Sequence, residues 1–317
     1  MSEPSLRVVC PVYREAESIT EFHRRLWKTL EGLNGRYRTT VQYVIDPSDD
    51  DTVAAVRGLV DENAATSALV MSNRFGHQMA LLAGMDHSDA DVLVTLDCDL
   101  QHPPELLPTL LDRYEEGYDV VQTIRTRTEN QGRLSRFASR RFYSLLNKLS
   151  DTKIVDGGAD FRLLSRRVVD VFRNDLRERN QFLRGLIPWV GFRACQVEFT
   201  ADERHGGQSK YSFTRSLRLA TDGLVSFSKA PLRLGVGIGL FFAVGAFAYA
   251  LATGIVWVSN GSIPPGWASL AMLVAGSTGV LLAFMGILGL YIGAIFDEVK
   301  ARPHYIVAER IENTNDV

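Results

Sequence analysis

The sequence predicts an α/β protein with a doubly wound, mostly parallel sheet, followed by an interfacial helix and a two-helix transmembrane hairpin. Three observations lead to this prediction. Short β-rich runs alternate with helical segments over the first 125 residues, acidic residues follow several of these runs, and residues 234–296 include no Asp, Glu, Lys or Arg. Such alternation favours parallel strands joined by helical crossovers, and a long uncharged stretch favours membrane-spanning helices.

The predicted strands and helices alternate along the chain. Each predicted strand is short and rich in β-branched and other apolar residues. The predicted strands are 6–12, 41–45, 68–72, 92–96 and 120–123, and the predicted helices are 18–33, 52–62, 78–87, 104–116 and 166–172. We expect Ser18 to cap the first helix, with Glu21 as its capping-box partner.

Two aspartates follow the fourth predicted strand. Asp97 and Asp99 come directly after the apolar run 92–96, and Gln101 follows before a Pro-Pro pair ends the segment. Open α/β sheets bind ligands at the carboxyl ends of their strands. Carboxylate oxygens suit Mg²⁺ or Mn²⁺, which bridge to substrate phosphates. We therefore predict a divalent cation on Asp97 and Asp99, with a carbonyl oxygen from Gln101. The alternative is a strand-end turn with solvated acids.

Acidic residues also follow the first two predicted strands. Glu15 comes after the first and Asp46 directly after the second, so we expect both at the same sheet edge as Asp97 and Asp99. The sequence contains neither a phosphate-binding Gly-Lys loop nor a Gly-x-Gly-x-x-Gly motif. P-loop and Rossmann dinucleotide sites are therefore disfavoured.

Two basic segments follow the fifth predicted strand. Six arginines fall between residues 125 and 141, and 133–149 has the spacing of an amphipathic helix. We predict that this helix faces lipid phosphate near a membrane; the alternative is a solvated basic face. The second segment, 204–211, combines glycines with Arg204, Ser209 and Lys210. These three residues could hold a diphosphate under a closing loop, although an ordinary exposed loop is also possible.

Two apolar segments, about 234–258 and 267–296, are predicted to cross a membrane. Each exceeds the roughly 20 residues that span the hydrocarbon core. Lys229 and Arg233 precede the pair, Lys300 and Arg302 follow it, and the turn between has no positive charge. The positive-inside rule then places both termini in the cytoplasm. The alternative is a very apolar pair of core helices. Glycines in both spans permit close packing and predict a homo-oligomer.

Overall composition excludes some partners and compartments. The formal net charge is −2, which provides no general attraction for nucleic acid. The three cysteines are odd in number and far apart, so neither a disulfide framework nor a cysteine metal site is expected. A reducing compartment fits this cysteine content best.

The motifs together resemble those of polyprenyl-phosphate glycosyltransferases of glycosyltransferase family 2. This group includes dolichyl-phosphate mannose synthase and bacterial bactoprenol glucosyltransferases. The matching segments are Pro-Val-Tyr-Arg-Glu at 11–15, Arg-Phe-Gly-His-Gln at 74–78, Asp-Cys-Asp-Leu-Gln-His-Pro-Pro at 97–104, Asp-Phe-Arg-Leu at 160–163 and Gly-Gln-Ser-Lys-Tyr at 207–211. They span the domain that precedes the apolar segments, and the two-span carboxyl terminus is similar to the bactoprenol branch.

The resemblance implies a GT-A fold and an inverting transfer of one sugar to the phosphate of a membrane polyprenol such as undecaprenyl phosphate. Glucose from UDP-glucose is the expected donor, in the cytoplasmic membrane of a bacterium. The expected organisation is a cytoplasmic GT-A domain over 1–210, an amphipathic juxtamembrane segment over 211–231, a transmembrane hairpin over 232–297 and a cytoplasmic tail over 298–317.

The resemblance also implies roles for individual residues. Asp97 and Asp99 would meet the nucleotide sugar and the metal, with Gln101 as a further ligand and Asp160 as a third acid at the catalytic site. The nucleotide-sugar residues would be Pro11, Tyr13, Glu15, Asp46, Arg204, Ser209 and Lys210. We expect Arg125, Arg127 and Arg133 to hold the acceptor phosphate, because arginine binds phosphate bidentately.

Two features depart from the pattern or leave a choice open. The family usually has Asp-Asp-Gly-Ser after its second strand, whereas this chain has Asp-Pro-Ser-Asp at 46–49. Asp160 could orient a sugar hydroxyl or an arginine, or serve as a structural acid paired with Arg162.

More than one function is compatible with these motifs. Processive synthases carry Gln-x-x-Arg-Trp, whereas Gly185 follows Arg184 here, so single transfer is favoured over polymer synthesis. A non-catalytic nucleotide-sugar-binding membrane protein and a membrane scaffold also stay open.

Overall fold

The computed structural model describes residues 3–125, 158–179, 181–199, 230–260 and 266–313. These residues form two compact units. The first contains the described residues up to 199 together with 302–313, and the second contains the two long helices that lie between them in sequence.

The first unit contains a sheet of eight strands within the described ranges. The strands are β1 (Ser5–Val12), β2 (Arg38–Ile45), β3 (Thr66–Met71), β4 (Val92–Thr95), β5 (Val120–Arg125), β6 (Gly158–Ser165), β7 (Ala194–Phe199) and β8 (Val307–Ile311). The helices of this unit are α1 (Ile19–Glu31), α2 (Thr52–Glu62), α3 (His77–Asp86), α4 (Leu107–Glu115), α5 (Arg166–Asn174) and α6 (Leu183–Trp189). A 3₁₀ turn, Pro104–Leu106, leads into α4.

The strand order is β7-β5-β6-β4-β1-β2-β3-β8. The central strands β4, β1, β2 and β3 are parallel, and β5 is parallel to β7. Strand β6 is antiparallel to both β4 and β5, and β8 is antiparallel to β3. The predicted mostly parallel sheet is therefore confirmed, and all five predicted strands are present within two or three residues of their expected bounds.

The core lies mainly where strands β1, β2 and β4 meet helices α1 and α4. Side chains of one face, such as Val8, Tyr43 and Val94, are fully buried against α1 residues including Phe22 and Leu26. This burial explains why the strands are rich in β-branched and aromatic residues, since each apolar side chain buried contributes roughly 1.5–3 kcal/mol.

The predicted capping box at α1 is wrong. Ser18 precedes the helix but makes no side-chain cap bond, and its hydroxyl instead hydrogen-bonds the carboxylate of Glu15. Glu21 pairs with Arg24 one turn later, at 2.8 Å from Oε2 to Nε. The Ser18 hydroxyl donates its proton to the nearby Glu15 carboxylate, and it accepts no hydrogen bond from a backbone N–H of the first turn of α1.

The carboxyl-terminal segment 298–317, expected to form a tail, supplies strand β8. The pairs Ala68–Ile311 and Val70–Glu309 join it to the edge strand β3. Arg57 on α2 also bonds Glu309, with 2.8 Å between Nη2 and Oε1. The strand covers an edge that would otherwise expose unpaired backbone groups. Strand β8 has only five residues, so hydrophobic periodicity in the sequence does not predict it.

Helix α3 packs closely on β1. Gly84 lies against Val9, and a Cβ added at Gly84 would overlap the Val9 side chain. Residues 80–85 of α3 are all buried. Gly84 is therefore required by the close approach of the helix to the sheet.

Replacing Gly84 by alanine is expected to destabilise the first unit by about 1–3 kcal/mol, because the added methyl group overpacks the contact with Val9. The matched control is Gly58→Ala in α2, where an added Cβ meets no described atom within 4 Å. Gly58→Ala should raise the melting temperature, since alanine is the better helix former. Melting in detergent tests both variants, and equal shifts in the two would contradict the packing argument.

The second unit consists of two long helices, α7 (Ala230–Asn260) and α8 (Trp267–Lys300). They pack on each other where Gly235 approaches the ring of Phe284. Segments Leu234–Val256 and Gly276–Lys300 are long and apolar enough to cross a membrane, with mean hydropathies of 2.1 and 2.3. Neither segment is buried, which disfavours the alternative of a core helix pair. The predicted helices at 133–149 and 213–229 lie outside the described residues.

Candidate active site

The candidate site lies at the carboxyl end of β4. Asp97 follows this strand, and two histidines flank its carboxylate. The Nε2 atom of His77, at the first turn of α3, is 3.6 Å from Asp97 Oδ1, and the Nδ1 atom of His102 is 3.6 Å from Asp97 Oδ2. His102 is buried against the rings of Phe161 and Phe199. The start of α3 and the loop after β4 thus meet at one carboxylate.

The Asp97 carboxylate is not fully hydrogen-bonded. Its Oδ1 atom is buried and has no hydrogen-bond partner among the described residues, and the same is true of Nδ1 of His102. Burial raises the pKa of Asp97, and the neighbouring His77 and His102 offset part of that rise. An unpaired buried carboxylate oxygen is costly, so this geometry favours a positively charged ligand at Asp97.

Asp99 and Gln101 lie on a tight turn. Leu100 between them has a φ of 60°, the left-handed region that non-glycine residues seldom adopt. The turn is closed by a 3.1 Å hydrogen bond from the Gln101 backbone N–H to Asp99 Oδ1. Backbone strain of this kind persists where the surrounding structure imposes it, often at functional sites. Asp97 and Asp99 both lie on this loop after β4.

Gln101 contacts the predicted acceptor arginine. The Arg125 Nη2 atom, at the end of β5, donates to Gln101 Oε1 at 2.9 Å. The same oxygen was predicted to bind the cation. The structure therefore brings the predicted metal and acceptor residues together, with the Gln101 carbonyl engaged by a guanidinium group.

Asp160 lies opposite Asp97 because of strand register. In the antiparallel pair β4–β6, Thr95 is paired with Arg162. Continuing two residues along each strand brings Asp97 and Asp160 to the same level. The ligand atoms of His77, Asp97 and Asp160 all lie within 4.8 Å of one another.

The Asp160 carboxylate is bound by two arginines. Arg162 donates from Nη2 to Oδ1, and Arg184 on α6 donates from Nη2 to Oδ2 at 2.7 Å. His77 Nε2 is 3.3 Å from the same Oδ2. Both alternatives that paired Asp160 with an arginine are therefore consistent with the structure, and Arg162 is its closest partner.

The charges around Asp160 lower the pKa of this carboxylate and raise the pKa of His77, so that each group is favoured in its charged form. Burial alone would raise the pKa of Asp160, but the hydrogen bond from His77 and the charges of Arg162 and Arg184 hold it far below its usual range. Burial lowers the pKa of His77, yet the bond to Asp160 and the charge of Asp97 more than compensate and raise it. Asp160 is thus a firmly ionised group and is poorly suited to accept a proton.

A second group of predicted residues surrounds the loop after β1. Pro11 is buried at the end of the strand, and the Arg74 guanidinium lies 3.9 Å from the centre of the Tyr13 ring. Arg14 between Tyr13 and Glu15 has a φ of 57°. The Glu15 side chain accepts a hydrogen bond from Ser18. This loop exposes one aromatic ring and a cation, which are groups that stack on planar bases.

Asp46 has a backbone role. Its Oδ1 and Oδ2 atoms accept hydrogen bonds from the N–H groups of Phe75 and Gly76, at 3.0 and 2.9 Å. Asp46 is buried, and the two bonds fix the turn that starts α3 at His77. Asp46 was predicted to bind the nucleotide; in the structure both of its oxygens position the segment that carries His77.

Comparison with known proteins assigns the family. The profile of glycosyl transferase family 2 matches residues 7–172, which include β1, β4 and the Asp97–Asp99 loop. The chain belongs to glycosyl transferase family 2. The predicted family is confirmed, and the mixed, mostly parallel sheet is its GT-A fold.

Relatives of this glycosyltransferase match almost its entire length. It is 36% identical over 310 residues to the "Uncharacterized glycosyltransferase YkcC" of Bacillus subtilis (strain 168), covering 96% of this chain and 94% of that protein. It is 36% identical over 305 residues to the bactoprenol glucosyl transferase of Shigella phage SfX, covering 96% and 99%. A solved structure of glucosyl-3-phosphoglycerate synthase from Mycobacterium tuberculosis with UDP is similar at 18% identity and a TM-score of 0.44, covering 70% of this chain and 79% of that one.

The donor atoms of this glycosyltransferase suit a divalent cation. Asp97 has an Oδ1 atom without a described partner, and Asp99 lies beside it on the same loop. Asp160 is less suited to bind the ion although it belongs to the cluster with His77, because Arg162 and Arg184 occupy its oxygens and would repel a cation. The residues present therefore fit a cation on the Asp97–Asp99 side of the cluster.

Five of the predicted site residues fall in segments that the structure does not describe. Arg127, Arg133, Arg204, Ser209 and Lys210 lie outside the described residues, so the structure does not place them. Sequence reasoning gave no role to His77 and His102 and treated Arg184 only as part of a processivity motif. The motifs at 74–78 and 97–104 contained both histidines. His102 follows Asp97 on the same loop, whereas the proximity of His77 to Asp97 depends on how α3 packs beside β4.

Proposed function

We propose that this glycosyltransferase transfers one glucose from a nucleotide sugar, UDP-glucose, to the phosphate of a membrane polyprenol such as undecaprenyl phosphate. The observation that carries the proposal is the partly unsatisfied Asp97 carboxylate, next to Asp99, at the carboxyl end of β4. The near full-length similarity to a bactoprenol glucosyl transferase supports the choice of sugar and lipid. The two apolar helices α7 and α8 supply a membrane attachment for an enzyme that meets a lipid substrate.

The acceptor defines what the protein must contribute. A phosphate monoester is anionic near pH 7, so it can attack the anomeric carbon without a strong general base. This agrees with the described cluster, in which Asp160 is tied to two arginines and is not a proton acceptor. The protein must align an in-line attack, which inverts the anomeric carbon, and stabilise the leaving diphosphate.

We assign the cation, Mg²⁺ or Mn²⁺, to Asp97 and Asp99, with Gln101 at its rim. When bound, such an ion neutralises charge on the leaving diphosphate. Asp97 is flanked by His77 and His102 at 3.6 Å, and Asp99 lies on the turn that contains Leu100. The remaining diphosphate ligands proposed are Arg204, Ser209 and Lys210.

We assign the nucleoside to the loop after β1. Pro11 and Glu15 shape this loop, and Tyr13 with Arg74 offers an aromatic and cationic surface for the base. Asp46 acts indirectly in this scheme by fixing the turn before His77. Arg125, Arg127 and Arg133 are proposed for the acceptor phosphate; the Arg125 bond to Gln101 would then link acceptor and metal sides.

Chain topology supports a cytoplasmic-membrane hairpin. The first unit contains the strands before α7 and also β8 after α8. Because both ends of the helical pair return to one sheet, the pair crosses the membrane an even number of times. Together with the positive-inside rule, this supports both termini on the cytoplasmic face. A homo-oligomer through the glycine-bearing helices stays a prediction.

A transfer assay tests the proposed function. The full-length protein in detergent is given undecaprenyl phosphate, Mg²⁺ or Mn²⁺, and one labelled nucleotide sugar at a time. We expect a single lipid-soluble product with the mass of one added hexose, formed from UDP-glucose. Polymeric product would instead support a processive synthase, and nucleotide binding without any product would support a non-catalytic role.

A further inference from the structure

A polar cavity of about 320 Å³ lies on one face of the sheet, away from the candidate active site. Residues of four strands, β1, β2, β3 and β8, line it, and we call it the β1–β8 cavity. Arg7 on β1 is paired with Leu93 on β4, four residues before Asp97. At about 3.3 Å per residue, the cavity therefore lies on the order of 13 Å from Asp97. All of its lining residues belong to the first unit.

Strand register brings the lining side chains to one face of the sheet. Gln42 on β2 is paired with Val9 on β1 and with Ser67 on β3. Two residues further along β3, Leu69 is paired with Arg310 on β8. Paired residues of neighbouring strands share a face, as do alternate residues of one strand, and Val9 faces α3. Strand β8, which the sequence did not predict, thus completes the cavity on the α3 face.

Arg7 is a partly buried cation without a charged partner in this cavity. Its Nη1 atom donates to the His87 carbonyl at 2.6 Å, and its Nε atom donates to Thr40 Oγ1 at 3.3 Å. The Nη2 atom has no partner among the described residues, and it is not one of their buried atoms. Burial lowers the pKa of Arg7, and the charges of Asp89 and Glu312 offset only part of that effect. An anion beside Nη2 would supply the missing charge.

The other polar groups of the cavity restrict the chemistry of its ligand. Arg310 is exposed and forms no ion pair within the described ranges. Gln42 is 4% exposed, and its Nε2 atom, unlike Oε1, keeps accessible surface and has no hydrogen-bond partner in the same ranges. Of the described residues that line the cavity, only Glu312 carries a carboxylate, and none is Phe, Tyr or Trp. The lining thus offers guanidinium groups for an anion, an amide and a carboxylate for hydroxyl groups, and no large ring for a nucleobase.

We propose that the β1–β8 cavity binds a small hydroxylated anion, such as a sugar phosphate, outside the candidate active site. Arg7 and Arg310 bind the anionic group, the Gln42 amide donates to a hydroxyl group, and Glu312 accepts a hydrogen bond from another. The volume lies in the range of small-molecule sites, roughly 300–1,000 Å³. The proposal does not depend on the proposed function, because none of these four residues has a role in sugar transfer.

A bare inorganic anion fits this lining less well than a hydroxylated one. It would satisfy the two arginines, but Glu312 would repel it and would gain no hydrogen bond in return. A hydroxyl group attached to the anion turns the same carboxylate into a favourable acceptor. Discrimination between a sugar phosphate and inorganic phosphate is therefore the property to measure.

Isothermal titration calorimetry of the full-length protein in detergent tests the site. The probes are glucose 6-phosphate, inorganic phosphate and glucose, each titrated in EDTA so that no divalent cation at Asp97 contributes. We expect one glucose 6-phosphate per chain, bound about tenfold more tightly than inorganic phosphate, because the hydroxyl groups add hydrogen bonds. Glucose should not bind, since it lacks the anionic group.

Two exposed positions on and beside β8 allow variants that should stay folded. Arg310→Gln should weaken binding of glucose 6-phosphate about tenfold or more, because it removes a charge-assisted hydrogen bond. Glu312→Gln should bring the Kd values of glucose 6-phosphate and inorganic phosphate closer together. The matched control is Arg24→Gln on α1, an exposed arginine on the helix that packs on the opposite face of the sheet. It should leave both Kd values unchanged, and melting checks that each variant is folded.

Several results would overturn the proposal. Absence of binding, or equal Kd values for inorganic phosphate and glucose 6-phosphate, would remove the proposed ligand class. Unchanged binding in Arg310→Gln would place the ligand elsewhere, and equal weakening by Arg24→Gln would point to general surface charge. Binding that appears only after residues 314–317 are removed would assign the cavity to that segment of the chain. Asp99→Ala should bind glucose 6-phosphate normally, so failure of this site and failure of sugar transfer are distinguishable.

Discussion

Replacing Asp99 by alanine is expected to lower kcat for sugar transfer on the order of 10²–10³-fold or more, while the protein stays folded. Asp99 shares a loop with Asp97, and its Oδ1 accepts only the Gln101 backbone N–H in the described structure. Loss of the carboxylate removes a proposed ligand of the cation that neutralises the leaving diphosphate. The assay measures transfer and melting temperature on the same preparation.

The matched control for Asp99→Ala is Asp89→Ala. Asp89 lies before the first residue of β4, at the opposite end of this strand from Asp97, and its side chain, which pairs with Arg173, is 87% exposed. Exposed pairs of this kind contribute little, so Asp89→Ala should retain transfer and stability. Normal turnover by purified Asp99→Ala would contradict the metal assignment, and loss of turnover in both variants would point to a general effect on the domain.

Replacing Asp160 by alanine is expected to destabilise the first unit more than any other single change considered. Removing one partner from a buried ion pair costs about 3–5 kcal/mol, because the remaining charge is buried without compensation. Arg162 is the group left behind, since it is 1% exposed, whereas Arg184 is 43% exposed and can reach solvent. The melting temperature should fall by on the order of 10 °C.

A second substitution separates charge burial from packing. Adding Arg162→Met to Asp160→Ala removes the uncompensated guanidinium group and should recover part of the lost melting temperature. Activity should not return, because His77 and Asp97 lose the neighbour opposite them in the β4–β6 register. If the double variant is less stable than Asp160→Ala alone, Arg162 is stabilised by something other than Asp160.

Much of the fold followed from local pattern. The five predicted strands, the helices that follow them and the two apolar segments were located correctly because hydrophobic periodicity is a property of neighbouring residues. The position of Asp97 and Asp99 at a strand end follows from the same information. Residue types and their order along the chain thus determined where the catalytic loop begins and that two long apolar helices follow the sheet.

The composition of the site was decided by tertiary structure. Asp160 on β6 meets Asp97 only because β6 enters the sheet antiparallel to β4 in one register, and Arg184 on α6 binds Asp160 there. His77 reaches the same carboxylates from the start of α3, at the turn that Asp46 fixes. Register depends on which side chains pack across the sheet, and local sequence does not specify it.

The same reason applies to strand β8. Its five residues carry little periodicity, and it forms because the edge of β3 offers backbone partners more than two hundred residues away in the chain. The sequence by itself therefore determined the strand-end aspartates and the apolar helices. Pairing between distant segments decided which cations hold Asp160, which histidines flank Asp97 and where the last described strand lies, because those contacts form only when the sheet assembles.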